Sequence, residues 1–143
     1  MKNRSAFTLV ELVIVILILG ILAAVAVPRL FNTSAKATDN GLKQTLGVVR
    51  DAIELYAAQN GGALPGQDDD LPGDLASFIR GPFPSCPVGD SADPTGVKYS
   101  TGVITGEASP TTKGWHYSTD TGEFIINFSG ASKTDTNVTY DSF

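Results

Sequence analysis

An acid inside an otherwise apolar run is the residue of this chain with the strongest chemical demand. Glu11 lies in FTLVELVIVILILGILAAVAV, residues Phe7 to Val27, whose last sixteen positions hold nothing polar. An ionisable side chain in such a segment costs roughly 2.5–3.5 kcal/mol on membrane-insertion scales, so it calls for a partner. The other reactive side chains form no constellation. His116 is the only histidine and Cys86 the only cysteine. No Gly-rich phosphate loop or arguable carboxylate pair accompanies them, so the chain reads as no enzyme. Cys86, between Pro84 and Pro87, reads as a small buried or half-buried thiol, and a single cysteine rules out an internal disulfide framework. His116 reads as a surface histidine. Asp68-Asp69-Asp70 reads as a solvated acidic turn, because adjacent carboxylates lack the alternating ligand spacing of a calcium loop.

The elements that position Glu11 follow from the apolar run. A helix needs about 20 mostly apolar residues to cross the hydrocarbon core of a bilayer, and Phe7 to Val27 supplies 21. Lys2 and Arg4 precede it without an acid, which places the N-terminus in the cytoplasm and the remainder outside. Composition leaves an anchor and a cleaved signal peptide both open, since Ala23-Ala24-Val25-Ala26 offers small residues at the far end of the run. At 143 residues the chain is one domain plus an anchor. The net charge is −5, and losing Lys2 and Arg4 would leave −7. That balance repels a phosphate polymer, so no nucleic acid is expected as a partner.

Beyond Pro28, helical periodicity continues. Leu42, Leu46, Val49, Ile53 and Tyr56 form one apolar stripe at spacings of four and three, and Gly61-Gly62 supplies a stop. Thr38-Asp39-Asn40-Gly41 suits the cap of a new helix as well as the middle of an old one. The preferred reading is a single curved helix over residues 7–60, roughly 80 Å long at 1.5 Å per residue. Pro28 should kink it at the membrane exit. Residues 63–94 hold six of the eight prolines and read as an irregular connection with a short helix near Leu75–Ile79 started by Asp74. The last third reads as strands: Val97 to Ile104, then a hairpin of Gly114–Ser118 and Glu123–Phe128 about a turn at Thr119–Gly122. Trp115 and Tyr117 share one face, as do Phe124, Ile126 and Phe128, so the sheet can cover the helix stripe. The predicted fold class is α+β: a long N-terminal helix, transmembrane in its first half, packed against a small C-terminal antiparallel sheet.

The order Lys2, Arg4, a small residue, then Phe7-Thr8-Leu9-Val10-Glu11-Leu12-Val13 resembles the type III signal of type IV pilins and type II secretion pseudopilins. Gly20 and Pro28 stand at that family's common glycine and proline. Where the family usually has Gly before the cut, this chain has Ala6. The resemblance implies cleavage between Ala6 and Phe7 by a prepilin peptidase, N-methylation of Phe7, and a Glu11 that neutralises the Phe7 amine of a neighbouring subunit. It also implies local unwinding between Gly20 and Pro28 in the filament. The division is then leader 1–6, filament-core helix 7–28, amphipathic helix 29–62 and a globular region 63–143. The aromatic hairpin and polar tail look similar to G-type, or major, pseudopilins, some of which bind calcium in a C-terminal loop. Asp135, Asn137 and Asp141 are the candidate ligands, although Asn137-Val138-Thr139 is also a formal glycosylation sequon. No other cofactor is implied.

The function implied is a structural subunit that sits in the bacterial inner membrane and polymerises with copies of itself into a periplasmic pseudopilus of type II secretion. Its partners would be the prepilin peptidase and the secretion or pilus assembly machinery. The alternatives are a type IV pilus pilin or minor pilin, and a membrane-tethered periplasmic binding module. A plain tether has no need of Glu11.

Overall fold

A computed structural model describes residues 7–143. The expected leader, with Lys2, Arg4 and Ala6, lies outside the described residues. One helix, α1, runs unbroken from Leu9 to Gln59, about 77 Å at 1.5 Å per residue. Thr38–Gly41 lies within it and starts no second helix. Its start is set by Thr8, whose hydroxyl accepts from the Glu11 N–H while the Glu11 carboxylate accepts from the Thr8 N–H. The helix remains continuous through Gly20 and Pro28. At its end the Asn60 N–H reaches the Tyr56 carbonyl, and Gly61 and Gly62 follow at positive φ.

The second half of α1 carries the core. Leu42, Leu46, Val49, Ala52 and Ile53 are buried, with Tyr56 packed at the margin. They meet a three-stranded sheet in the order β1 (Asp93–Ser100), β2 (Lys113–Ser118), β3 (Phe124–Ile126). Trp115 pairs with Ile126 and Tyr117 with Phe124, so these four side chains share the expected face, and all are fully buried. Trp115 stacks on Phe124 at 5.2 Å between ring centroids and donates its indole N–H to the Pro84 carbonyl. Arg50 fastens helix to sheet with two hydrogen bonds, 3.0 and 2.9 Å, to the Phe124 carbonyl. Gly122, at φ +75°, takes the tight turn between β2 and β3, a conformation open to glycine and strained for a side chain.

The α+β class and the helix-on-sheet packing are as expected, and four details are corrected. The first strand spans Asp93–Ser100 and not Val97–Ile104, because the chain turns out of the sheet at Gly102, φ +77°, and the third is limited to Phe124–Ile126. β2 and β3 are antiparallel, but β1 runs parallel to β2, so the sheet is mixed. Residues 101–112 supply the crossover of about a dozen residues that a parallel pair requires. The short helix, α2, spans Leu71–Asp74, not Leu75–Ile79. Asp70 caps it by accepting from the Gly73 N–H, and Pro72 sits in its first turn, where a missing N–H costs nothing. Asp74 instead accepts from the Gly66 N–H at 2.7 Å. Finally, His116 is buried. It does point away from the helix, but the crossover folds over that outer face, and Ile104 and Ile125 are buried along with it. His116 Nδ1 lies 2.9 Å from the Thr105 carbonyl and Nε2 lies 2.6 Å from Ser100 Oγ. Burial lowers its pKa, against the opposing pull of the Thr105 carbonyl.

Candidate functional site

Among the described residues, nothing packs on the N-terminal part of α1, from Leu9 to Val27. From Leu9 to Val27 its large apolar side chains are 46–77% exposed, and Phe7 is 88% exposed. A Cβ on Gly20 would meet no neighbour, and a shallow apolar groove runs past it between Val13, Ile16, Leu17, Ile21 and Ala24. The helix is long and apolar enough to cross a membrane. Such a surface is stable only in lipid or against other apolar helices, because water penalises each exposed methylene by about 0.8 kcal/mol.

Glu11 occupies the third position of this helix, one turn from Phe7. Its Oε2 accepts from the Thr8 N–H and the Thr8 hydroxyl, both at 2.8 Å. Its Oε1 accepts no hydrogen bond from the described residues. This reciprocal cap satisfies two groups at the helix start and sets an anion where the helix dipole favours one. The sequence reading missed the cap, although Thr8-Leu9-Val10-Glu11 carries the Thr-x-x-Glu signature. Phe7 and Glu11 are thus close in the chain, Gly20 and Pro28 lie further along the same helix, and Ala6 lies outside the described residues.

The C-terminal candidates are placed differently. Asp135 Oδ1 accepts from both the backbone N–H and the side-chain amide of Asn137, at 3.0 and 3.2 Å. Asp141 Oδ2 accepts from the Gly106 N–H at 2.9 Å. Among the described residues no group of three His, Cys, Asp or Glu side chains is arranged to hold a metal ion. The tail is gathered by Asp39, a residue that sequence reasoning did not single out for any role outside a helix cap. Asp39 is 2% exposed and accepts from Ser132 Oγ at 2.6 Å, Thr134 Oγ1 at 2.5 Å, Thr134 N–H at 3.2 Å and Tyr140 Oη at 2.8 Å. Burial by itself raises its pKa, but the bonds from Ser132, Thr134 and Tyr140 prevail and hold it below the ordinary carboxylate value.

Elsewhere the reactive groups are spoken for. Cys86 is buried, its thiol pushed up by burial. Lys98 and Thr112 hold Glu107 down to a pKa of about 2, and Lys113 pairs with Asp93 at 2.8 Å. Asp70, within the acidic triplet, serves as a helix cap.

These features define a class: an apolar helical stalk, capped by an acid near its tip, that carries a small α+β head. Residues 1–27 match the family described as the prokaryotic N-terminal methylation motif. The chain is similar to the fimbrial protein EcpB of Eikenella corrodens, 44% identical over 61 residues, which is 43% of this chain and 38% of that protein. It is also similar to the type II secretion system core protein G of Aeromonas hydrophila, 36% identical over 59 residues and 41% of each chain. A third relative is the prepilin peptidase-dependent protein D of Escherichia coli K12, 40% identical over 62 residues, 43% of this chain and 42% of that one. The chain spans about two fifths of the length of these curated relatives. No solved structure matches it.

Proposed function

We propose that this chain is a prepilin-type structural subunit that polymerises through its apolar helix into the pseudopilus of a type II secretion system. The observation that carries the reading is the unpacked apolar stalk with Glu11 one turn from Phe7, in a segment matching the N-terminal methylation motif. Residues 1–6 form the leader, removed between Ala6 and Phe7 by a prepilin peptidase, and the new Phe7 amine is methylated. Residues 7–28 hold the subunit in the inner membrane with its N-terminus in the cytoplasm, and later form the filament core. Residues 29–62 and the head at 63–143 stand in the periplasm. In the filament, the Glu11 oxygen not used by Thr8 accepts the Phe7 ammonium of an adjacent copy and sets the axial register. Gly20 and Pro28 mark the stretch that can extend, because glycine weakens a helix by about 1 kcal/mol and proline by about 3 kcal/mol relative to alanine.

The similarity to a fimbrial protein favours a second reading, a pilin of a type IV pilus. Deleting the chain from its host and restoring it in trans separates the two. The pseudopilin reading expects export of folded periplasmic proteins to be lost and recovered, with surface pili unchanged. Loss of surface pili with export intact transfers the chain to the pilus. No change in either overturns both.

A further inference from the structure

The calcium ion suggested by similarity to G-type pseudopilins does not fit the residues present. A cation needs lone pairs from several oxygens aimed at one point. Here Asp135 Oδ1 is turned towards two N–H groups of Asn137 and Asp141 Oδ2 towards the Gly106 N–H, and among the described residues no three acidic, His or Cys side chains converge on one point. We propose that Asp39 does the work of the cation: a buried carboxylate on the helix latches the C-terminal strap, residues 128–143, in place without metal.

The geometry is that of an anion fully enclosed by donors. Asp39 Oδ2 takes three hydrogen bonds from Ser132 and Thr134, and Oδ1 takes one from Tyr140. The donors thus come from both ends of the strap's loop, and all lie more than ninety residues away in sequence. Between those ends the loop is closed by Ser132 N–H to the Val138 carbonyl and Tyr140 N–H to the Gly130 carbonyl. One turn along α1, the Lys43 ammonium sits 4.4 Å from the centre of the Phe143 ring, and Tyr140 stacks on Phe128 at 5.8 Å. An unpaired buried carboxylate is costly and an unlatched loop gains chain entropy, so burial of Asp39 and docking of the strap are one event. The strap also fastens the crossover over the sheet, because Asp141 holds Gly106.

Hydrogen exchange of the full chain in detergent micelles, followed by mass spectrometry, tests this. In the unaltered protein the amides of 131–143 should be equally protected in calcium and in chelator. Asp39→Asn should speed their exchange at least ~10-fold, the loss of about one charge-assisted hydrogen bond, while β2 and β3 stay protected. Tyr140→Phe, which removes one donor and keeps the ring, should do the same to a smaller degree, and it serves if Asp39→Asn fails to fold. Protection that collapses in chelator overturns the latch. So does a strap whose exchange is unmoved by either substitution.

Discussion

Glu11→Leu is expected to leave the protein inserted in the membrane and to abolish its filaments. Insertion should improve, because an apolar segment is relieved of a charge worth roughly 2.5–3.5 kcal/mol. Assembly should fail for two reasons that a second variant separates. The substitution removes the reciprocal cap with Thr8, worth about 0.5–2 kcal/mol in similar helix termini. It also removes the only acid of the apolar stalk, and with it the counter-ion proposed for the Phe7 amine of the next subunit. Glu11→Gln keeps a group able to accept from Thr8 but carries no charge. If the ion pair sets the register, Glu11→Gln should assemble as poorly as Glu11→Leu, because a buried ammonium without its partner costs several kcal/mol at every subunit contact. Sheared filament yield, read by immunoblot and electron microscopy, is the measure. Wild-type yield from Glu11→Gln would reduce Glu11 to a helix cap.

Trp115→Ala should cost the head about 3–5 kcal/mol, the range for deleting a large buried aromatic side chain. Its ring is fully buried, stacks on Phe124 and donates to the Pro84 carbonyl, so truncation empties the centre of the core and strands an acceptor in the proline-rich connection. A small domain holds only about 5–15 kcal/mol in all, and each kcal/mol shifts the melting temperature of such a domain by about 4–8 °C. A fall of at least ~12 °C by calorimetry is therefore expected. Val103→Ala, at a side chain 91% exposed, should move it hardly at all. A Trp115→Ala melt within about 3 °C of the unaltered protein would mean that the core lies elsewhere.

Periodicity carries information along one element, and the reading succeeded where the element was the whole story. The apolar run, the stripe from Leu42 to Ile53 and the turn at Gly122 each follow from neighbours within a few residues, and each is found where expected. The parallel pairing of β1 with β2 does not. A strand's alternation is the same whichever way its partner runs, and the direction is decided by how residues 101–112 return. His116 illustrates the same limit. Its side of the sheet was legible from alternation, whereas its burial depends on a crossover that folds back over it. The position of α2 turned on which of Asp70 and Asp74 acts as cap, and Pro72 decides it by fitting the first helical turn. Asp39 was the least legible, since all its donors lie in the last dozen residues of the chain. The cap between Thr8 and Glu11, by contrast, is written locally, in the Thr-x-x-Glu order of residues 8–11.

Mass spectrometry of the mature N-terminus tests the central claim most directly, since the proposed leader removal and the proposed pairing of Glu11 with a free Phe7 amine both depend on cleavage of the Ala6–Phe7 bond. The account predicts a chain that begins at Phe7 with a methylated amine. A chain that retains Met1, or one cut after Ala26, would contradict it.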